Sequence, residues 1–481
     1  MLRFAPSPTG DIHIGNLRIA LINYIVAKQR QEELIIRIED TDQGRNIVGK
    51  DREIVELLKL FGIEYKEVLY QSANFNLHRQ LAYRLVEEGK AFLCFCSEEE
   101  LAEERKRAQL EKRPYRYSGK CATRSKREVG ELLRQKKPFT IRVYPPEKPI
   151  PFTDLIKGKL EFTPFEVDSF IILRQNGIPT YNFACAVDDM IGNISIVIRG
   201  EDHLSNTPKQ IYIRQLLGYS KSIQYAHIPI ILNSVGKKMS KREQSSSVKW
   251  LLEEGFLPEA IGNYLLLLGN SFQKEIFTLK EGIEIFDLTK ISKSPARFDL
   301  EKLKFINRHH IRRLVEEGVS IVELLAQFKS WKNQIKKRDK RDGKDLLYKT
   351  IWVEKDKRMG KGEGLEELKE LEGLAKLYLD EVATLKELLQ KLDRFYWKPT
   401  YKQFEKEVEI LKREILELSN RELPVNYNQF KKELMAKTGL KGKRFFMPLR
   451  LLLIGQSHGP EIRDLYTALF PIIPKLIANY R

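Results

Sequence analysis

The first sixty residues run strand, loop, helix, strand, helix, and that order constrains the fold more than any other feature of the chain. Leu2 to Ala5 reads as a strand, a Pro- and Gly-rich turn follows, and Ile14 to Gln29 has the spacing of an amphipathic helix. Leu34-Ile-Ile-Arg-Ile38 is an almost unbroken β-branched run, the pattern of a parallel strand covered on both faces. Gly49 to Leu60 predicts a second helix, closed by Gly62. Parallel strands need a crossover connection, and a helical crossover is the repeating unit of a doubly wound α/β sheet.

From about Ala91 to Pro164 this rhythm breaks. A Cys-x-Cys segment leads into a charged helix (Glu98 to Glu111), a basic loop and short strands such as Thr140 to Val143, together an α+β insertion. The α/β pattern resumes at Ser169 to Arg174 and Ile194 to Ile198, with a helix after Thr207. Ile228 to Leu232 predicts a last strand before the basic loop Gly236 to Arg242. Beyond about Lys249 the periodicity is nearly all helical, as in Leu374, Leu377, Val382, Leu385, Leu388 and Leu392. No repeat of fixed period stands out.

Charge says what the chain meets. Lys plus Arg number 84 against 66 for Asp plus Glu, a net charge of +18. Such a surface suits polyanions, because basic side chains displace the counterions condensed on phosphates, although a solvated basic surface has the same composition. Between Lys329 and Lys361 there are 13 Lys/Arg and five Asp/Glu. That run fits a solvated face or linker, and the interleaved Trp331, Tyr348 and Trp352 add stacking surfaces of the kind nucleic acids use. The opening MLRFAPSPTG lacks a signal peptide's apolar stretch, and the longest apolar runs fall far short of the ~20 residues a bilayer needs. Four cysteines make no disulfide framework, which points to the reducing cytoplasm, away from membranes; a monomer is the further expectation.

Two strings carry chemistry. Ala5-Pro-Ser-Pro-Thr-Gly-Asp-Ile-His-Ile-Gly-Asn16 lies where the first strand gives way to a helix, the edge at which α/β sheets bind nucleotides against free helix N–H groups. Gly15 lets a ring lie on backbone, and His13 offers a donor to phosphate oxygens. Lys237-Lys-Met-Ser-Lys-Arg242 sets four cations on one loop, a charge density that a visiting polyphosphate relieves.

HIGN at His13–Asn16 resembles the HIGH signature of class I aminoacyl-tRNA synthetases, and KMSKR resembles their KMSKS. Arg3-Phe-Ala-Pro-Ser-Pro-Thr-Gly10, Arg37-Ile-Glu-Asp-Thr-Asp42, Arg199-Gly-Glu-Asp-His203, and Lys441-Gly-Lys-Arg-Phe-Phe-Met-Pro-Leu-Arg450 with Gly455-Gln-Ser-His-Gly459 narrow the likeness to bacterial glutamyl-tRNA synthetases. The resemblance implies an α/β Rossmann-like class I catalytic domain in two halves, 1–80 and 181–235, around an acceptor-binding insertion, 81–180. A KMSKR-bearing stem-contact domain, 236–318, and an all-α anticodon-binding region, 319–481, would follow.

It further implies ATP with Mg²⁺, L-glutamate and tRNA as the molecules bound. Arg3, Ala5 and Arg199 would form the glutamate pocket, where a guanidinium fork reads a carboxylate. Ser7 and Glu39 would hold the α-amino end and Tyr181 would wall it, although Tyr181 also reads as core. Arg37 and Asp40 read as an internal pair. His13, Gly15, Asn16, Asp202, Met239, Ser240 and Lys241 would contact ATP, with His13, Lys238 and Lys241 catalytic. Asn16 replaces the second histidine of the signature and Arg242 its last serine. Some members of the family bind structural zinc through cysteines of the insertion. Here Cys94, Cys96 and Cys121 would be ligands with Tyr117 or water as the fourth, since Thr123 stands where some relatives carry a histidine; three reduced thiols are the alternative. Glutaminyl-tRNA synthetases carry Pro-Glu-Pro at Pro6-Ser7-Pro8 and a β-barrel anticodon region, so the helical C-terminal half argues against them. A non-catalytic tRNA-binding paralogue would lack part of the catalytic set. Which tRNA is charged, tRNA-Glu or tRNA-Gln, stays open at this level.

Overall fold

The computed structural model describes residues 1–239, 243–338, 365–393 and 404–479. The chain divides into two compact units, one made of residues 1–248 and 265–298, the other of residues 249–264 and the described residues from 299 onward.

In the first unit, β1 (Leu2–Phe4), α1 (Ile14–Gln29), β2 (Leu34–Ile38), α2 (Lys50–Leu60) and β3 (Val68–Tyr70) follow the order read from the sequence. The three strands are parallel, with Leu2 opposite Leu34 and Ile36 opposite Val68. Every residue of β2 is buried, which is why its sequence lacks alternation. Helix α1 begins at Ile14 because the His13 side chain caps it, accepting from the Gly15 N–H.

The insertion brings α3 (Phe75–Glu87), β4 (Ala91–Cys94), α4 (Glu98–Leu110), α5 (Lys126–Arg134), β5 (Thr140–Val143), β6 (Ile150–Asp154), β7 (Gly158–Phe162), α6 (Pro164–Val167) and β8 (Ile171–Leu173). Capping boxes at Ser97/Glu100 and Ser125/Glu128 fix where α4 and α5 start. Strands β4, β5 and β8 form an antiparallel sheet of their own. The hairpin β6–β7 goes elsewhere. After α7 (Tyr181–Ile191), β9 (Ile196–Gly200) and α8 (Thr207–Leu216), β10 (Gln224–Ile228) pairs in parallel with β9 on one side and with β6 on the other, at Tyr225 and Asp154. The Ser195 N–H donates to the Met1 carbonyl, so β9 runs beside β1.

The expected strand Ile228 to Leu232 is a correction. The ladder runs over Gln224–Ile228 and stops at Pro229, which has no N–H to donate, and Ile231–Leu232 pairs instead with Ala296–Arg297. The strand expected at 169–174 is shortened to Ile171–Leu173, and the one expected at 194–198 is shifted to Ile196–Gly200.

The second unit contains only helices among its described residues, including Leu300–Glu316, Ile321–Arg338, Leu385–Asp393, Glu405–Ser419, Tyr427–Thr438 and Lys443–Ile454. Leu374, Val382, Leu385, Leu388 and Leu392 are buried, but the run is two helices with a turn between them. Asn307 joins the unit internally, accepting from the Leu257 N–H at 2.8 Å and donating to the Ala383 carbonyl at 2.7 Å. Trp331 is not a surface for stacking bases: it is 3% exposed and packs against Phe328 in the core. Tyr348, Trp352 and the charge run from 339 to 361 lie outside the described residues. Gly455, at φ +67°, closes Lys443–Ile454, and Arg450 donates to the Gly459 carbonyl, so the Gly455–Gly459 string is a helix end and its brace. No helix of the described residues is long and apolar enough to cross a membrane.

Candidate active site

A cavity of about 610 Å³ opens where β1, β2 and β9 end and α1 begins. Its lining includes Arg3, Ala5, Ser7, His13, Gly15, Asn16, Glu39, Tyr181, Arg199, Asp202, Lys238 and Met239. Every site residue expected from sequence on the α/β sheet and described here therefore faces one space, apart from the cysteine set. Ser240, Lys241 and Arg242 lie outside the described residues.

At one end the site is built of buried cations and acids. The Arg3 guanidinium donates through Nε to Asp189 at 3.1 Å, and Arg37 donates through Nη1 to the same carboxylate at 2.5 Å. Arg37 also donates to Glu39 at 3.0 Å, so its partners are Asp189 and Glu39 rather than Asp40, which binds the Ser72 hydroxyl. Burial by itself would raise the Asp189 carboxyl, but the two guanidinia outweigh it and hold it well below the usual range. Burial pushes the Cys185 thiol up, to about 12, so it stays a neutral neighbour 3.5 Å from Glu39. Tyr181 stands 3.0 Å from the His203 ring, its phenol raised by burial. Arg199, 6% exposed, is held at each of its three nitrogens: Nε by His227, Nη1 by Gln210 and Nη2 by Thr207.

At the other end the groups suit phosphates. His13 Nδ1 accepts from the Gly15 N–H at 3.0 Å, which places the ring's proton on Nε2. The basic loop is tied down on both flanks: Met239 donates to the Ile231 carbonyl at 3.0 Å, and Val248 donates to the Ile12 carbonyl at 3.3 Å, beside His13. Lys238 lies 3.7 Å from Asp202, both largely exposed, a pairing weak enough for a polyanion to displace. Arg18, which sequence reading passed over, also lines the cavity; it donates to the Pro229 and Leu268 carbonyls, and burial lowers it to about 10.

The cysteines form a separate cluster in the insertion. The three sulfurs lie within 4.8 Å of one another, with Cys96 and Cys121 at 3.6 Å. The Tyr117 hydroxyl sits 3.4 Å from the Cys94 sulfur and 3.5 Å from that of Cys96. Bonds of ~2.3 Å at tetrahedral angles separate sulfurs by ~3.8 Å, so the spacing fits a zinc-sized ion. Hydrogen bonding from Cys94, then from Tyr117 and the Phe95 N–H, draws the Cys121 thiol down to about 4 against its burial, while the hydrogen bond with Cys121 and then burial push Cys94 up.

A family model described as "tRNA synthetases class I (E and Q), catalytic domain" matches residues 1–305, and one described as "Anticodon binding domain" matches residues 323–469. The chain is 54% identical over 478 residues to "Glutamate--tRNA ligase 1" of a Nitratiruptor species, covering 99% of this chain and 100% of that protein. The chain belongs to the class I glutamate–tRNA ligase family. "Glutamate--tRNA ligase 1" of Campylobacter jejuni (strain 81-176) is 49% identical over 466 residues, 97% of each chain. A crystal structure of a glutamate tRNA ligase from Elizabethkingia meningosepticum, in complex with its amino acid, superposes with a TM-score of 0.76 at 27% identity, covering 100% of this chain and 99% of that one. In this family's fold the catalytic α/β domain and the helical anticodon-binding region are the two parts recognised here.

Sequence reading missed Asp189 and His227, the buried groups that hold the arginines. Asp188-Asp189 did leave a signal, since two acids inside the otherwise apolar α7 must find partners. His227 and Asp154 left none.

Proposed function

We propose that this chain activates L-glutamate with ATP to the glutamyl-adenylate and transfers the glutamyl group to the 3′ end of tRNA. The observation that carries it is a single cavity with two held guanidinia at one end and, at the other, a helix start with His13 and a lysine loop. Arg3 and Arg199 would bind the side-chain carboxylate, because a fork of N–H donors matches its two oxygens. Glu39 and Ser7 would bind the α-ammonium, Ala5 would give it room, and Tyr181 would close the pocket's side.

The α-carboxylate then attacks the α-phosphorus and pyrophosphate leaves; the terminal ribose hydroxyl of tRNA takes the glutamyl group and releases AMP. No side chain becomes a covalent nucleophile, so the protein's share is positioning and charge stabilisation. His13, Gly15 and Asn16 would lie against ATP, with Asp202 and Met239 beside its nucleoside and Lys238 and Lys241, with Ser240, at the leaving phosphates. Among the described residues no three carboxylates converge on the cavity, so Mg²⁺ would come with the nucleotide. Zinc held by Cys94, Cys96, Cys121 and Tyr117 would cross-link β4 to the loop before α5, a structural role remote from the chemistry.

Glutamate-dependent pyrophosphate exchange in the presence of tRNA tests the reading. Intact ATP binding with no exchange and no Glu-tRNA would overturn it. The curated relatives' names favour glutamate over glutamine as the amino acid, and charging of purified tRNA-Glu and tRNA-Gln separates the two acceptors. Anticodon contact belongs to the helical unit: deleting the chain after Ile321 should weaken tRNA binding and leave ATP binding intact.

A further inference from the structure

Behind Arg199 lies a chain of buried groups that ends in the insertion. His227, on β10, is fully buried; its Nδ1 is 2.6 Å from Asp154 Oδ2 and its Nε2 is 3.2 Å from Arg199 Nε. An arginine nitrogen only donates, so His227 Nε2 must accept and Nδ1 must carry the proton, given to Asp154. Thr207 Oγ1 accepts from Arg199 Nη2 at 2.7 Å and lies 3.0 Å from the same Nε2. Asp154 is the last residue of β6, the strand through which the insertion joins β10. Its other oxygen accepts from the Ile156 and Lys157 N–H groups at 2.9 and 2.8 Å. All four acceptor positions of this carboxylate are in use, since Oδ2 also takes the His227 N–H at 3.1 Å.

We propose that Asp154 and His227 are positioning residues for glutamate recognition: Asp154 fixes the histidine tautomer, and neutral His227 holds the Arg199 fork aimed into the cavity. The inference rests on the functional reading above and adds two residues that touch no substrate. A protonated His227 would set one N–H against another and release the arginine. The charged groups facing His227 are Asp154 from β6, Arg199 from β9 and Arg3 from β1, with the Tyr225 ring stacked beside it on β10; α8 presents the uncharged Thr207 and Gln210. Burial first, then Arg199, lower the histidine against the pull of Asp154, so the neutral form prevails at physiological pH.

The test compares glutamate KM with ATP KM across pH in full-length protein. In the wild type, glutamate KM should rise only as pH falls well below the ordinary imidazole value of ~6.5, because His227 is lowered in the fold, while ATP KM should not. His227→Gln keeps an acceptor for Arg199 and cannot be protonated, so it should hold glutamate KM within about threefold at neutral pH and lose the acid rise. Asp154→Asn turns an amide N–H toward the imidazole and favours the wrong tautomer, so glutamate KM should rise by about tenfold at every pH. An acid rise that persists in His227→Gln belongs to another group, such as His203, and overturns the proposal; so does an Asp154→Asn protein with unaltered glutamate KM. If Asp154→Asn does not fold, the pH comparison decides alone. A wild-type protein that never charges tRNA with glutamate refutes the functional reading itself, whereas normal charging with the same acid rise in wild type and His227→Gln refutes only this relay.

Discussion

Asp189→Asn is the substitution whose cost the structure defines best. The carboxylate is fully buried and faces two guanidinia, each no more than 4% exposed. Without its charge, among the described residues Arg3 has no ion-pair partner, and Arg37 keeps Glu39, at 3.0 Å, as its one carboxylate partner. Removing one partner of a buried ion pair costs about 3–5 kcal/mol, and the retained amide oxygen returns about 1 kcal/mol as a neutral hydrogen bond. A net loss of about 3 kcal/mol lowers the melting temperature of a unit this size by on the order of 10 °C. Calorimetry at pH 7 would read it as an early transition of the α/β unit, because two units need not melt together. The pH dependence has a definite sign. The folded carboxyl is depressed, so its contribution is complete above the unfolded value of ~3.9 and fades only as pH falls below that toward the folded one. The gap between variant and wild type should therefore be constant from pH 7 to about pH 5 and narrow only in stronger acid. An unchanged melting temperature, or a gap that closes near neutrality, would refute the account of this buried triad.

Three other substitutions test separate parts of the site. Arg199→Lys keeps a charge but cannot reach His227, Gln210 and Thr207 together, so glutamate KM should rise by about 10–100-fold with ATP KM within twofold; equal changes in both would mean the arginine does not read the amino acid. In Gly15→Ala the new Cβ would lie 3.2 Å from His13 Nδ1 and crowd the ring off its hydrogen bond, so ATP KM should rise severalfold although alanine favours helix by about 1 kcal/mol; a stabilised protein with normal ATP KM would contradict this. Metal analysis of protein purified without chelator should find about one zinc per chain, falling at least tenfold in Cys121→Ser, and a metal-free protein with all thiols intact would leave only the three reduced cysteines.

The elements with the strongest local signals were legible. Ile14–Gln29 and Leu34–Ile38 match the expected bounds because a capping residue and a run of buried β-branched side chains mark their ends. Gln224–Ile228 was not, since a polar residue opens it and Pro229 sits inside the stretch that looked most strand-like. Trp331 misled in the opposite sense: an aromatic in a basic run suggests stacking, while its helix turns it inward. The cavity-lining residues were visible because they sit in short strings at strand ends. Their supports were not, because Asp189 meets Arg3 across 186 positions and Asp154 meets His227 across 73, and no local pattern encodes such a meeting. The fold of the insertion, split between its own sheet and the edge of the larger one, was hidden for the same reason.

The central claim is that one cavity selects glutamate and joins it to tRNA. Aminoacylation of purified tRNA with labelled glutamate and, separately, labelled glutamine tests it most directly. The account predicts ATP-dependent Glu-tRNA and no charging with glutamine, because the two arginines it assigns to the substrate would read a carboxylate, and an amide would leave them without a counter-charge. Charging with glutamine, or ATP binding without any Glu-tRNA, would contradict it.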